Sequence, residues 1–270
     1  MDFEQFAESH GLIIDYIIRD RWVRVPTTDH PRSRNGAYIF DGLSGAVQNW
    51  AVHEKPITWR SEKIYIPNKL LEIKKARAKQ EQEDQRNQAL RKASWIMHNG
   101  VTSTHPYLAS KGFEDETGYV WNKLLIIPMR VEHRLVGCQM INHSGKKNFL
   151  KGQLTKGAST IFENKGVPIL VEGYATALSV RLAMKTLGMR YKIVVCFSAA
   201  NMVEMSKVFP RAVVIADNDE VGIKTAQKIT DKFWLSPCAD EDFNDYHQRL
   251  GIDKASESLA EFIHTPQEPE

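Results

Sequence analysis

The sequence predicts an α/β protein, with a mostly parallel sheet flanked by helices preceded by an α+β unit and a small β-rich N-terminal domain. Three observations carry that prediction. After Pro168, short runs that are apolar throughout alternate with segments of helical periodicity, the pattern of strands covered on both faces by crossover helices. Before residue 70, β-like runs are punctuated by the turn dipeptides Asn35-Gly36 and Asp41-Gly42. Between the two lies a long charged stretch without Gly or Pro.

In the first domain, residues 1–70, residues 3–18 suit a short amphipathic helix with Phe3, Phe6, Leu12, Ile13 and Ile17 on its apolar side. Arg21–Thr27, Gly36–Phe40 and Ala46–Val52 follow as strands. Trp22, Tyr38, Trp50 and Trp59 gather here, either as the core of a small sheet or as a platform on which single-stranded bases stack. Residues 71–98 are expected as an exposed helical linker with a solvated charged face, stopped at His98-Asn99-Gly100. In residues 99–163, Pro106 opens and Gly112 closes a short helix. Leu124–Arg130 and Leu135–Asn142 then form a meander, and Lys146, Lys147, Lys151 and Lys156 follow, a cluster that suits phosphate contacts or an ordinary surface. In residues 164–270 the strands are Pro168–Val171, Lys192–Phe197 and Arg211–Ala216, with Phe233–Ser236 a candidate fourth. The helices are Tyr174–Leu187, Asn201–Phe209 and Glu220–Lys232.

Bulk properties exclude several classes. Among 270 residues, 42% are hydrophobic and 26% charged, which is globular rather than disordered. The net charge of +3 is too small to identify a partner. No apolar run approaches the roughly 18 residues that span a bilayer, and Met1-Asp2-Phe3-Glu4 lacks the stages of a signal peptide. A cytoplasmic protein with no membrane partner is expected. Cys138, Cys196 and Cys238 are far apart and form no CxxC pair, and no HExxH occurs, so neither a disulfide framework nor zinc is expected.

The chemistry lies at the strand ends. Ile169-Leu170-Val171 runs into Glu172-Gly173, and Val213-Val214-Ile215-Ala216 runs into Asp217-Asn218-Asp219. Ligands of an open parallel sheet bind outside the carboxyl ends of its strands. Carboxylates there are costly to desolvate, and a cation offsets that cost. Mg²⁺ suits an all-oxygen donor set, and Asp242 and Asp245 follow the last strand in a position to complete it. Singly, each motif has an ordinary explanation; Asp219, for instance, suits the N-cap of a helix at Glu220.

Glu172-Gly173-Tyr174, then Asp217-Asn218-Asp219 with Gly222 and Ala226, then Asp242-Phe243-Asn244-Asp245, resemble the Toprim domain. That domain is shared by bacterial-type primases, topoisomerases, OLD-family nucleases and RecR-type repair proteins. Leu125-Ile126-Ile127-Pro128-Met129-Arg130, Leu135-Val136-Gly137, Lys147-Asn148-Phe149-Leu150 and Lys156-Gly157 are similar to the stretch before Toprim in bacterial and phage primases. His105-Pro106-Tyr107-Leu108 with Lys111-Gly112 is similar to phage and plasmid Toprim primases.

The resemblance implies a Toprim-type sheet and a DNA primase, which makes short RNA primers on a single-stranded DNA template during phage or plasmid replication. Its partners would be the template, ribonucleoside triphosphates and a replicative helicase or other replication protein, in the host cytoplasm if phage-encoded. Glu172 is implied as general acid/base or metal-positioning carboxylate, with Asp217 and Asp219 also catalytic. Glu172, Asp217, Asp219, Asp242 and Asp245 are implied as ligands of Mg²⁺ or Mn²⁺. Lys147, Lys151, Lys156 and Asn201 are implied as nucleotide or template contacts. Two departures stand out: the sequence has neither the cysteines of a primase zinc ribbon nor the Gly-rich lysine motif of a fused helicase. The N-terminal domain is then a candidate for template recognition. A metal-dependent nuclease and a non-catalytic nucleic-acid-binding module of replication or repair are the alternative functions.

Overall fold

A computed structural model describes residues 1–61 and 68–264, the side chains of 68–71 excepted. Residues 62–67 of the first expected domain and 265–270 of the last lie outside the described residues. The chain divides into two units, Met1–Arg77 and Ala78–Glu270. No described helix is long and apolar enough to cross a membrane.

In the first unit, Asp2 and Gln5 form a capping box that starts α1 (Phe3–Ser9). The helix ends well before residue 18, because Gly11 takes a left-handed turn at φ +77° and Leu12 pairs with Thr27 across an isolated bridge. Leu12, Ile14 and Ile17 still reach the core, from irregular chain. Strands β1 (Val23–Val25), β2 (Gly36–Phe40), β3 (Ser44–Asn49) and β4 (Ile57–Arg60) form an antiparallel sheet in that order. β4 is additional to the expected strands; its apolar alternation amounts only to Ile57 and Trp59. The aromatic residues divide. Tyr38 is fully buried and Trp59 packs against its cluster, whereas Trp22 and Trp50 are about half exposed.

Helix α2 (Asn68–Asn99) starts three residues before the periodicity predicts. Ala89, Ala93 and Ile96 form one buried stripe, packed on Ile126, Cys138 and Leu150. The second unit continues with β5 (Val101–Ser103), α3 (Pro106–Ser110), β6 (Gly118–Trp121), β7 (Leu124–Val131), β8 (Arg134–Ile141) and β9 (Lys147–Phe149). The five strands make an antiparallel sheet in sequence order. Its β6–β7 and β7–β8 loops place Asn122-Lys123 and Glu132-His133 at positive φ, the conformation of a tight hairpin usually marked by Asn-Gly. Without that marker, β6 is not legible in the sequence.

The last part comprises β10 (Thr160–Glu163), β11 (Val167–Val171), α4 (Tyr174–Thr186), β12 (Tyr191–Val195), α5 (Ala199–Val208), β13 (Val213–Val214), α6 (Glu220–Gln227), α7 (Phe243–Leu250) and α8 (Ile252–His264). The sheet order is β10-β12-β11-β13. β11 is parallel to both neighbours, and β10 is an antiparallel edge. The expected third strand is shorter as a regular element, and the candidate fourth reduces to an isolated parallel bridge, Ile215 to Trp234. The third helix stops at Gln227 rather than Lys232.

Strand alternation explains the layers. Ile169, Val171, Ile193 and Val195 face a core that includes Leu178 of α4, Phe243 of α7 and Leu259 of α8. Leu170, Val194 and Val214 face the other side, toward Met202 of α5 and Ala226 of α6. The first of these cores also takes Leu125, Ile127 and Ile141 from the antiparallel sheet. The two sheets of this unit therefore share one interior.

Candidate active site

β11 lies between β12 and β13, so the connections leave it in opposite directions and a crevice opens at the carboxyl ends of its strands. Glu172 follows β11 directly. Asp217 follows β13 after Ile215 and Ala216, which continue the ladder through Ile215 N–H to Leu170 C=O (3.1 Å) and Ala216 N–H to Trp234 C=O (3.0 Å). Both acids are thus fixed by backbone hydrogen bonds of buried strands.

Burial dominates the electrostatics. Burial first, and then the neighbouring charges of Asp242, Glu172 and Asp219, together push the Asp217 carboxyl up to about 7 against the opposing charge of Lys147. Glu172 is raised by burial first, with Asp219 adding to the shift and Lys147 opposing it. The Oδ1 atom of Asp217 is out of solvent and has no hydrogen-bond partner, an uncommon state for a buried carboxylate oxygen.

The other acids serve as helix caps. Asp219 caps α6 by accepting from Gly222 N–H at 2.6 Å, so the N-cap expected from sequence is present, within the cluster. Asp242 accepts from the N–H of Asp245 at 2.8 Å and from the Thr176 hydroxyl at 3.2 Å. Asp245 completes that capping box and pairs with Lys111 Nζ at 3.3 Å. Asn218, between two of these acids, ties down the neighbouring turn. Its Nδ2 donates to the carbonyls of Ser236 (2.8 Å) and Cys238 (2.9 Å), and its backbone exchanges bonds with Glu241 and Asp240. Asp217, Asn218, Asp219, Asp240, Glu241, Asp242 and Asp245 line a cavity of about 180 Å³. A larger cavity, about 830 Å³, lies at the opposite ends of the strands near Arg211 and Val213; it holds none of these acids.

The basic residues separate. Lys147 on β9 reaches the acids, with its Nζ 3.9 Å from where a Cβ on Gly173 would stand. Lys156 pairs with Glu204 at 3.5 Å. No hydrogen bond or ion pair joins Lys151 to the acids among the described residues. Asn201 is buried. Its side chain accepts from Gly157 N–H (2.7 Å) and donates to the carbonyls of Ala158 (2.7 Å) and Cys196 (2.8 Å). Lys111, Thr176 and Asn218 are site residues that sequence reasoning left without a role. Asn218 had a visible signal in its place between two acids and Lys111 in the Lys111-Gly112 pair of the resemblance, whereas Thr176 had none.

Among the described residues, no three His, Cys, Asp or Glu side chains form a ready-made metal cage. The donor set nevertheless fits a divalent ion. Its atoms are hard oxygens, Asp217 Oδ1 lacks a partner, and Mg²⁺ is usually held by one or two carboxylates with the remaining positions left to water and phosphate.

The family model of the Toprim domain matches residues 167–253. This segment is a Toprim domain. No curated protein matches the chain. The chain is similar to the Aquifex aeolicus primase, solved as its zinc-binding and RNA polymerase domains, at 16% identity and TM-score 0.37, over 62% of this chain and 44% of that one. It is also similar to a DnaG primase catalytic domain bound to single-stranded DNA, at 15% identity and TM-score 0.36, over 57% of each chain. In both cases the match spans less than two thirds of the solved chain. The Toprim domain supplies all five candidate acids, while Lys147 comes from the sheet before it.

Proposed function

We propose that the chain is a DNA primase of the phage or plasmid type, a nucleotidyltransferase that builds short RNA primers on single-stranded DNA with Mg²⁺ or Mn²⁺. The observation that carries this reading is the buried, unpartnered Oδ1 of Asp217 amid Glu172, Asp219 and Asp242. In this reading residues 164–270 are the catalytic domain, 99–163 a primase-like subdomain that presents Lys147, 71–98 a linker, and 1–70 the part left for template contact.

Asp217, Asp219 and Asp242, with Glu172 and Asp245 beside them, would hold the ion, whose charge supplies Lewis-acid stabilisation of the reacting phosphate. Glu172 takes the proton of the primer 3′-hydroxyl as that oxygen bonds to the α-phosphorus of the incoming nucleotide. The bond from phosphorus to the pyrophosphate oxygen breaks. A carboxylate with raised proton affinity suits a base that works near neutrality. Lys147 holds the triphosphate against the acids, and the exposed Lys151 and Lys156 serve more distant phosphates.

Incubation with single-stranded DNA, ribonucleotides and Mg²⁺ or Mn²⁺ should yield short RNA. Asp217→Ala and Glu172→Ala should each lower synthesis roughly a hundredfold or more. No RNA on varied templates, with a helicase present as well, would sink the reading. Metal-dependent cleavage of labelled DNA in the absence of nucleotides would indicate a nuclease.

A further inference from the structure

Phe197 follows β12 with φ +67°, left-handed backbone that is an outlier for a bulky residue. The chain is held there on both sides. Phe197 N–H donates to the carbonyl of Glu172 and Cys196 N–H to that of Val171, both at 2.9 Å. Asn201 Nδ2 fastens the Cys196 carbonyl. The effect is to set an aromatic ring beside the strand end that carries Glu172.

A second ring meets it. Phe149 ends the edge strand β9 and is 40% exposed. Its centroid lies 6.4 Å from that of Phe197 at an interplanar angle of 85°. In such an edge-to-face pair, one ring keeps a face free. Lys147 is two residues away on the same strand, hence on the same face, and its Nζ stands next to Gly173. A cation and an aromatic ring are therefore presented side by side, roughly 7 Å apart along the strand. That spacing is comparable to the separation of a nucleobase from its own phosphate.

We propose that Phe149 and Phe197 form a stacking subsite for a nucleobase whose phosphate lies at Lys147. The subsite rests on the reading of the acids as a nucleotide-handling site. The base belongs either to a free nucleotide or to a strand, and stacking on an aromatic face tolerates any base.

The test uses the full chain and ligand pairs that differ only in the base. One pair is ATP with ribose 5′-triphosphate; the other is a single-stranded oligonucleotide with its abasic counterpart, all with Mg²⁺. In the wild type, the base-bearing member of at least one pair should bind about tenfold tighter, and the pair that shows the gap identifies the source. Phe149→Ala and Phe197→Gly should erase the gap while leaving the baseless ligand's affinity unchanged, and Phe149→Trp should keep it. Glycine adopts φ +67° without strain, so Phe197→Gly strains no backbone; because that ring also packs against the core, the exposed Phe149→Ala alone decides the outcome should Phe197→Gly fail to fold. A gap that persists in both variants overturns the subsite, as does a wild type that binds both members of each pair equally. A wild type that binds none of the four ligands overturns the nucleotide reading along with it.

Discussion

Asp217 is the residue at which structure and chemistry conflict most. Its carboxyl is pushed up to about 7 from 3.8 by burial and by neighbouring acids, so the native state binds a proton that the unfolded state releases. Stability of the metal-free protein should then fall as pH rises from about 4 to about 7 and level off above. Asp217→Asn removes the charge. Its metal-free melting temperature should exceed wild type at pH 8 and match it near pH 4, while primer synthesis is lost. Thermal melts in a chelating buffer at the two pH values decide this; a variant less stable than wild type at pH 8 would mean that Asp217 has a compensating partner. The sequence shows that acids end two strands, because identity and order suffice for that. It does not show that the Asp217 carboxyl is buried within reach of the charge of Asp242, 25 residues downstream in the chain.

At the scale of elements, the cluster is built from helix starts. Asp219 caps α6 and Asp242 caps α7, so each carboxylate is oriented by N–H groups at the positive end of a helix. The two roles of Asp219 can be separated. Asp219→Ala should destabilise the fold by about 1 kcal/mol through the lost cap, measured by chemical denaturation. Asp219→Ser keeps an acceptor for Gly222 N–H and should retain most of that stability, yet both variants should lose metal-dependent activity. An active Asp219→Ser would reduce this acid to a cap. β11, β12 and their helices are legible in sequence because their apolar runs are long and unbroken. α7 is not, since it begins inside the acidic motif with only Phe243 and Tyr246 to mark its buried side. β10 is also missed, being a short edge strand whose burial alternates weakly.

At the scale of the molecule, the shared interior of the second unit has a testable consequence. Leu125, Ile127 and Ile141 pack in the same core as Ile169, Val171 and Leu178, and large-to-small changes in such a core cost roughly 2–5 kcal/mol each. A fragment of residues 164–270 would expose that whole face and should melt without cooperativity, whereas residues 78–270 should melt cooperatively. A sharp transition in the shorter fragment would show that the Toprim segment carries its own complete core. The sequence separates these segments by pattern but gives no sign that they fuse, because fusion depends on which face each strand presents. Asn218 adds a constraint of another kind. Its amide and backbone fasten the end of β13 to the turn at Ser236–Asp242, so the two acidic motifs are clasped together by a residue that carries no charge. The middle letter of Asp-Asn-Asp then acts as a spacer gauge: Asn218→Ala removes no carboxylate, yet it should weaken Mg²⁺ affinity in titration calorimetry by letting the two halves of the site drift apart.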